Sequence, residues 1–224
     1  MPRGKDAQRR QPPPLRCPGR TLQEDFRDSP GVVRFAFGVK FWPPSVEQAR
    51  PAKCALCGVA AYDGLRVVLH GHGLVSRQQR GPASAGEEAS CAEIWIRRYL
   101  CTACDTVMRV VPASATARKH FSGAAIGLAL ALWGLCGKSA REVREAVNDR
   151  KVIGFGACGW TTLGGWAKQV AAGRLFAWLG LTGTAGSPRA VAARAAQALV
   201  GWAAVEAREA SPEAAAFTGA SHVS

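Results

Sequence analysis

Hydrophobic and polar positions change their period near Pro112. Before it, apolar residues alternate with basic ones. Leu65-Arg66-Val67-Val68-Leu69-His70 and Ile94-Trp95-Ile96-Arg97-Arg98-Tyr99-Leu100 predict two strands, and the apolar-aromatic run from Val32 to Trp42 predicts another that Pro43-Pro44 ends. The polar stretch from Ser76 to Ser90 between the two longer runs predicts a long surface loop at a hairpin tip. Beyond Pro112 the spacing becomes helical. Ala124, Ile126, Leu128, Leu130, Leu132, Trp133 and Leu135 predict a helix that is apolar nearly all round, as in a helix buried among others.

Two further helices follow. Ser139-Ala140-Arg141-Glu142 has the form of a capping box; Val143, Ala146 and Val147 give the second helix a core face, with Arg141, Arg144 and Glu145 outside. The third begins at Thr161 or Thr162, either of which can cap it, and turns Leu163, Trp166 and Val170 inward. The connection from Asn148 to Trp160 exceeds the turn of three to four residues in a minimal helix-turn-helix, and Lys151 to Gly156 within it reads as an extended segment. Leu175 to Leu181 continues this domain, and Pro188 to Phe217 predicts one Ala-rich helix carrying Trp202, with frayed final residues.

Chemistry enters with the cysteines. Cys54-Ala55-Leu56-Cys57 and Cys101-Thr102-Ala103-Cys104 are CxxC knuckles, each able to place two thiolates on one ion, and four thiolates close a tetrahedral Zn²⁺ site of the structural kind. Gly58 allows the sharp turn after the first pair. The 43 intervening residues exceed the common spacer of such repeats, and the loop at 76–90 accounts for much of the excess. A site that includes His72 or Cys91 is an alternative. A redox dithiol requires an enclosing βαβ pattern, which the sequence lacks. Cys17, Cys136 and Cys158 read as spectators, Cys136 as a small buried hydrophobe. The fold class expected is therefore α+β: a β-rich zinc ribbon over 31–112, a helix-turn-helix-like domain over 113–185, an Ala-rich C-terminal helix and tail over 186–224, and a disordered basic arm over 1–30.

Charge narrows the partners. The formal net charge is +13, and basic over acidic residues run ten to five in 1–50, nine to five in 51–120, six to three in 121–170 and four to three in 171–224. A balance this positive favours polyanions, with the contact expected in the first three segments; arginines that merely solvate the surface are the bland alternative. Met1 to Pro30 lacks the apolar core of a secretory signal, and paired cysteines suit a metal in a reducing compartment, so a cytoplasmic location is expected. Phe121 to Gly137 is free of charge over 17 residues, short for a membrane span and rich in glycine, so no membrane contact is expected.

Two letter matches fail on context. Gly154-Phe155-Gly156-Ala157-Cys158-Gly159 has the dinucleotide pattern without the following acidic residue, and Gly137-Lys138-Ser139 lacks the first glycine of a phosphate loop because Leu132 stands there.

The order Cys54-x-x-Cys57-Gly58, His72-Gly73-Leu74-Val75-Ser76-Arg77, Arg97-Arg98-Tyr99-Leu100-Cys101-x-x-Cys104 and Val111-Pro112 with helices after it resembles the zinc-ribbon and helix-turn-helix front of bacterial insertion-sequence transposases. It is similar to the uncharacterised bacterial domain of unknown function 6431 over roughly Phe41 to Val170. The resemblance implies DNA binding, with Zn²⁺ on Cys54, Cys57, Cys101 and Cys104. It does not imply transposition: no aspartate follows Asp149, and Glu206, Glu209 and Glu213 fall in the Ala-rich segment, so a metal-binding acidic triad is missing. The chain is expected not to be an enzyme, and any catalysis would come from a partner chain. In a DNA complex the third helix is the expected groove element, with Thr161 and Thr162 at its start and Arg141, Arg144, Lys151 and Lys168 on backbone phosphates. Arg66, Arg77, Arg80, Arg97 and Arg98 are expected to add an electrostatic clamp on the ribbon. The rival reading is a protein-interaction or oligomerisation module using Trp178 and Trp202.

Overall fold

In the first half, strands β1 (Val32–Phe35), β4 (Leu69–Gly81), β5 (Ser90–Cys101) and β6 (Thr106–Pro112) form one sheet in the order β1-β6-β5-β4, with β1 parallel to β6 and the other pairs antiparallel; β2 (Tyr62–Asp63) and β3 (Arg66–Val67) make a small hairpin apart from it. The computed structural model describes residues 32–35, 44–112, 114–116, 119–148 and 160–222. The expected arm at 1–30, Lys151, Cys17, Cys158 and the glycine run at 154–159 lie outside the described residues.

The long loop expected over 76–90 is shorter. β4 and β5 stay in register from Leu74 opposite Arg97 to Gly81 opposite Ser90, which leaves residues 82–89 to connect them. Hydrophobicity does not reveal this extension because polar bonds satisfy the inner face of β4. Arg77, only 6% exposed, donates to the Lys119 carbonyl and, at 3.4 Å, to the Thr116 carbonyl in the segment that enters the first helix. Burial lowers its pKa to about 10. Arg77 is therefore a bolt between sheet and helices rather than part of a surface clamp.

That junction continues along the strand. The Arg80 amide donates to the His120 carbonyl at 2.6 Å, and the Ser122 amide returns a bond to the Arg80 carbonyl at 3.1 Å. Gly81, at φ +127°, lies so close to the first helix that a Cβ there would stand 2.3 Å from Ala125 Cβ. Only glycine tolerates both the conformation and the approach.

Among the described residues the helices are α1 (Gly123–Gly134), α2 (Ala140–Val147), α3 (Thr162–Ala171), α4 (Pro188–Gly201), α5 (Val205–Ala210) and α6 (Pro212–His222), with a 3₁₀ turn at Ala177–Leu179. Ser122 caps α1 through the Ala125 amide, and α1 is buried from Gly123 to Ala131, as its all-round apolar pattern predicts. Among the described residues no helix is long and apolar enough to cross a membrane. The Ser139–Glu142 capping box is present on α2. α3 begins at Thr162 with Thr161 at its N-cap, but the Thr161 hydroxyl makes no capping bond, because its backbone is already helical and aims the side chain elsewhere. Trp166 is 2% exposed and meets Phe121 and Trp160 edge-on, a core anchor.

The C-terminal segment departs most from expectation. It is three helices rather than one, because α4 stops at Gly201 and Pro212 starts α6 afresh. The last described helix is packed rather than frayed: Ala215, Ala216, Phe217 and Ala220 are buried. A Cβ on Gly127 of α1 would meet Ala220 Cβ at 2.7 Å, and one on Gly134 the Ala193 amide nitrogen at 2.4 Å, so α4 and α6 press onto α1 through small residues. Val191, Ala192 and Ala195 share a core with Ile126 and Trp166, and the chain past 186 belongs to the same helical body. Cys136 is exposed past the end of α1, its Sγ 3.5 Å from Glu213 Oε2, and is not the buried hydrophobe expected.

Two measurements test this packing. Gly219, where a Cβ would lie 1.9 Å from the Leu199 carbonyl oxygen, should lose about 3 kcal/mol on change to alanine, whereas Gly164→Ala on open helix surface should gain about 1 kcal/mol in urea unfolding. His120 is held below its ordinary pKa of 6.5 by burial and by Arg80 and Arg77. The unfolded chain therefore takes up this proton first. The contribution is complete above pH 6.5 and is lost as pH falls below it, so melting temperature should drop more steeply from pH 7.5 to 5 in the native protein than in His120→Gln.

Candidate metal centre

Each knuckle is a tight turn that brings its second cysteine back beside the first. In the first, the Cys54 amide donates to the Val59 carbonyl at 2.8 Å, the Gly58 amide to the Cys54 carbonyl at 3.0 Å, and the Leu56 amide to Cys54 Sγ at 3.4 Å. Gly58 closes the turn at φ +74°. The second knuckle joins β5 to β6, with Cys101 paired to Thr106, and the residue after its last cysteine is again left-handed, Asp105 at φ +52°. Aspartate is among the few side chains that accept this backbone region.

The β-ladder carries the two turns to one place. Leu69 of β4 stands opposite Cys101, and the Thr102 amide and hydroxyl both donate to the Val68 carbonyl, at 3.1 and 3.2 Å. Met108, fully buried, accepts from the Ala55 amide at 3.1 Å and so ties the first knuckle to β6. Tyr99 OH donates to the Val46 carbonyl at 2.6 Å and Arg97 Nε to the Pro44 carbonyl at 2.8 Å, lashing the segment before the first knuckle across the hairpin. Met108, Thr102 and Tyr99 are supports that sequence reading missed. Their only signal is position beside the knuckles.

The sulfurs of Cys54, Cys57, Cys101 and Cys104 lie within 4.8 Å of one another and can hold a metal ion. Cys54 Sγ is 3.9 Å from Cys104 Sγ and Cys57 Sγ 3.8 Å from Cys101 Sγ, so the close pairs join one knuckle to the other. Hydrogen bonding from Thr106 draws the Cys104 thiol down to about 7. The Val59 backbone lowers Cys57 as well, but desolvation and the sulfurs of Cys104, Cys54 and Cys101 outweigh it and push that thiol up to about 12. Four thiols so close resist ionising together unless a cation neutralises them. Neither alternative ligand joins the cluster. Cys91 sits ten residues up β5 from Cys101, about 33 Å away at strand rise, and His72 is exposed at the register shift in β4.

The residues expected on DNA are spread over the helices. Arg141 pairs with Glu145 at 3.1 Å, Lys168 and Thr161 are exposed, Thr162 is half-buried, and Arg144 lies in the last turn of α2. Of the ribbon arginines, Arg66 is exposed, Arg97 is engaged with Pro44, and the Nε atoms of Arg80 and Arg98 are buried without a partner among the described residues.

Comparison with protein-family models, with curated proteins and with solved structures finds no match to this chain.

Native mass spectrometry of the whole chain should find one tightly bound divalent ion. Cys101→Ser, which removes a fully buried ligand, should release it and collapse the ribbon, while Cys91→Ser should keep it.

Proposed function

We propose that this chain is a DNA-binding protein whose ribbon is held by a structural Zn²⁺. The observation that carries the zinc is the sulfur geometry. A tetrahedron with Zn–S bonds of about 2.3 Å has edges of about 3.8 Å, and the cross-knuckle pairs stand at 3.9 and 3.8 Å. Four thiolates leave no open position for substrate or water, so the ion would stiffen the fold rather than catalyse. On this reading the protein is not an enzyme; it acts in the cytoplasm and, lacking the acidic triad of the transposases it resembles, relies on a separate chain for any cutting or joining.

The formal charge of +13 supports a polyanionic partner, and duplex DNA bound largely through its phosphates suits lysines and arginines spread over several elements. Arg141, Arg144, Lys151 and Lys168 are assigned to phosphates. Thr161, exposed and free of capping duty, with Thr162 beside it, is assigned to the DNA facing the start of α3. Glycines 164 and 165 on open helix surface provide no side chain to read bases, so recognition would be weakly sequence-specific.

A second reading has its own observation. Trp202 is 54% exposed against the edge of Trp178, with Val205 61% exposed nearby, an apolar patch of the sort that mediates association between proteins.

Mobility of the protein with random duplex DNA at two salt concentrations, beside its elution volume alone, separates the readings. Four phosphate contacts predict an affinity loss of about 100-fold between 50 and 200 mM salt, and Lys168→Ala should flatten the log–log slope by about one. A shallow slope together with an elution volume smaller than a monomer's would replace DNA binding with self-association.

A further inference from the structure

A cavity of about 470 Å³ opens between the hairpin connection at 82–89 and helices α1, α2 and α6, and its chemistry is opposite to that of the chain as a whole. Its apolar surface comes from Leu128, Leu132 and Ala146, and its polar surface from Glu87, Glu88, Glu145, Glu213 and Asn148, with no lysine, arginine or histidine among the lining residues. In a protein with only 16 acidic side chains against 29 basic ones, four carboxylates converge on this one hollow.

The partners these groups already have leave acceptors to spare. Glu145 binds Arg141, which reaches it from the exposed side of α2, and Glu213 faces the Cys136 thiol. Glu87 and Glu88 form no ion pair with any described residue. Asn148 is 4% exposed and donates its Nδ2 to the Arg144 carbonyl at 2.9 Å, while its Oδ1 accepts from no described residue. Asn148 thus contributes an unused acceptor to the lining of the hollow, and carboxylates beside an apolar surface favour a counter-charge. The hollow thus offers acceptors and hydrocarbon, in a volume suited to a small organic molecule.

We propose that this cavity binds an aliphatic primary ammonium, the methylenes lying on Leu128 and Leu132 and the –NH₃⁺ donors distributed among the carboxylates and Asn148 Oδ1. A free polyamine and a lysine side chain share this chemistry. Guanidinium-free, compact ammonium ions match acceptors set around a rim better than a planar fork does. Nothing in this proposal depends on DNA or on the metal.

The test is isothermal titration of the full chain, without DNA, with spermidine and separately with the tripeptide Gly-Lys-Gly, N-acetylated and C-amidated. Saturable one-to-one binding of spermidine assigns the site to free polyamines; binding of the peptide alone assigns it to a partner's lysine. In either case Glu145→Gln/Glu213→Gln should weaken binding by about tenfold or more, with the circular dichroism spectrum unchanged. Should that double variant fold poorly, Glu87→Gln/Glu88→Gln in the exposed connection should weaken binding in the same direction. Absence of saturable binding by both probes overturns the proposal, as does binding by wild type that neither double variant alters.

Discussion

The antiparallel ladder between β4 and β5 is the constraint from which the rest of the structure hangs. It runs from Leu69 opposite Cys101 to Gly81 opposite Ser90, a beam about 40 Å long at strand rise. At one end its register decides where the second knuckle lies, and hence whether four sulfurs meet. At the other, Arg80 and Gly81 dock on the entrance to α1. Because side chains alternate along a strand, a slip of one residue would turn Arg77 out of its buried bonds and Cys101 away from its partners together. The four-cysteine cluster and the helical body are therefore coupled through one backbone register.

The helical body follows a different rule. α1 has no polar face to present, so other helices must cover it, and the small residues Gly127, Gly134 and Gly219 let α4 and α6 approach to backbone contact. Close packing of this kind gains dispersion over many atoms while tolerating little added volume. It also explains how an alanine-rich segment with few large side chains holds its place: its stability lies in proximity rather than in the area of any one residue.

Positive charge is used in two ways that composition cannot separate. Arg77 and Arg97 bind carbonyls of irregular segments, Arg189 binds the carbonyls of Trp133 and Lys138 where α1 ends, and Arg208 those of Gly201 and Ala203 where α4 ends. A guanidinium is well shaped for this, since its forked donors satisfy the unpaired carbonyls of a helix terminus. Some arginines thus serve as scaffolding, Arg77 from a buried position and Arg189 and Arg208 from exposed ones, while Lys168, Arg66 and Arg141 on α2 also present positive charge at the surface.

What could be read from the chain alone was local: the two CxxC turns, the Ser139–Glu142 cap, the buried α1 and the inward Trp166 all depend on residues within a few positions of each other, where spacing is itself the geometry. Tertiary structure decided whatever rests on distant partners. The strand character of Ser76–Gly81 follows from carbonyls 39 and 42 residues away from Arg77, the folding back of 186–222 from glycines on α1, and the acidic hollow from carboxylates at 87, 88, 145 and 213 that no spacing connects. Short-range patterns survive in a linear sequence because the backbone fixes them, whereas long-range contacts arise only when packing selects one arrangement from many that the same local preferences allow.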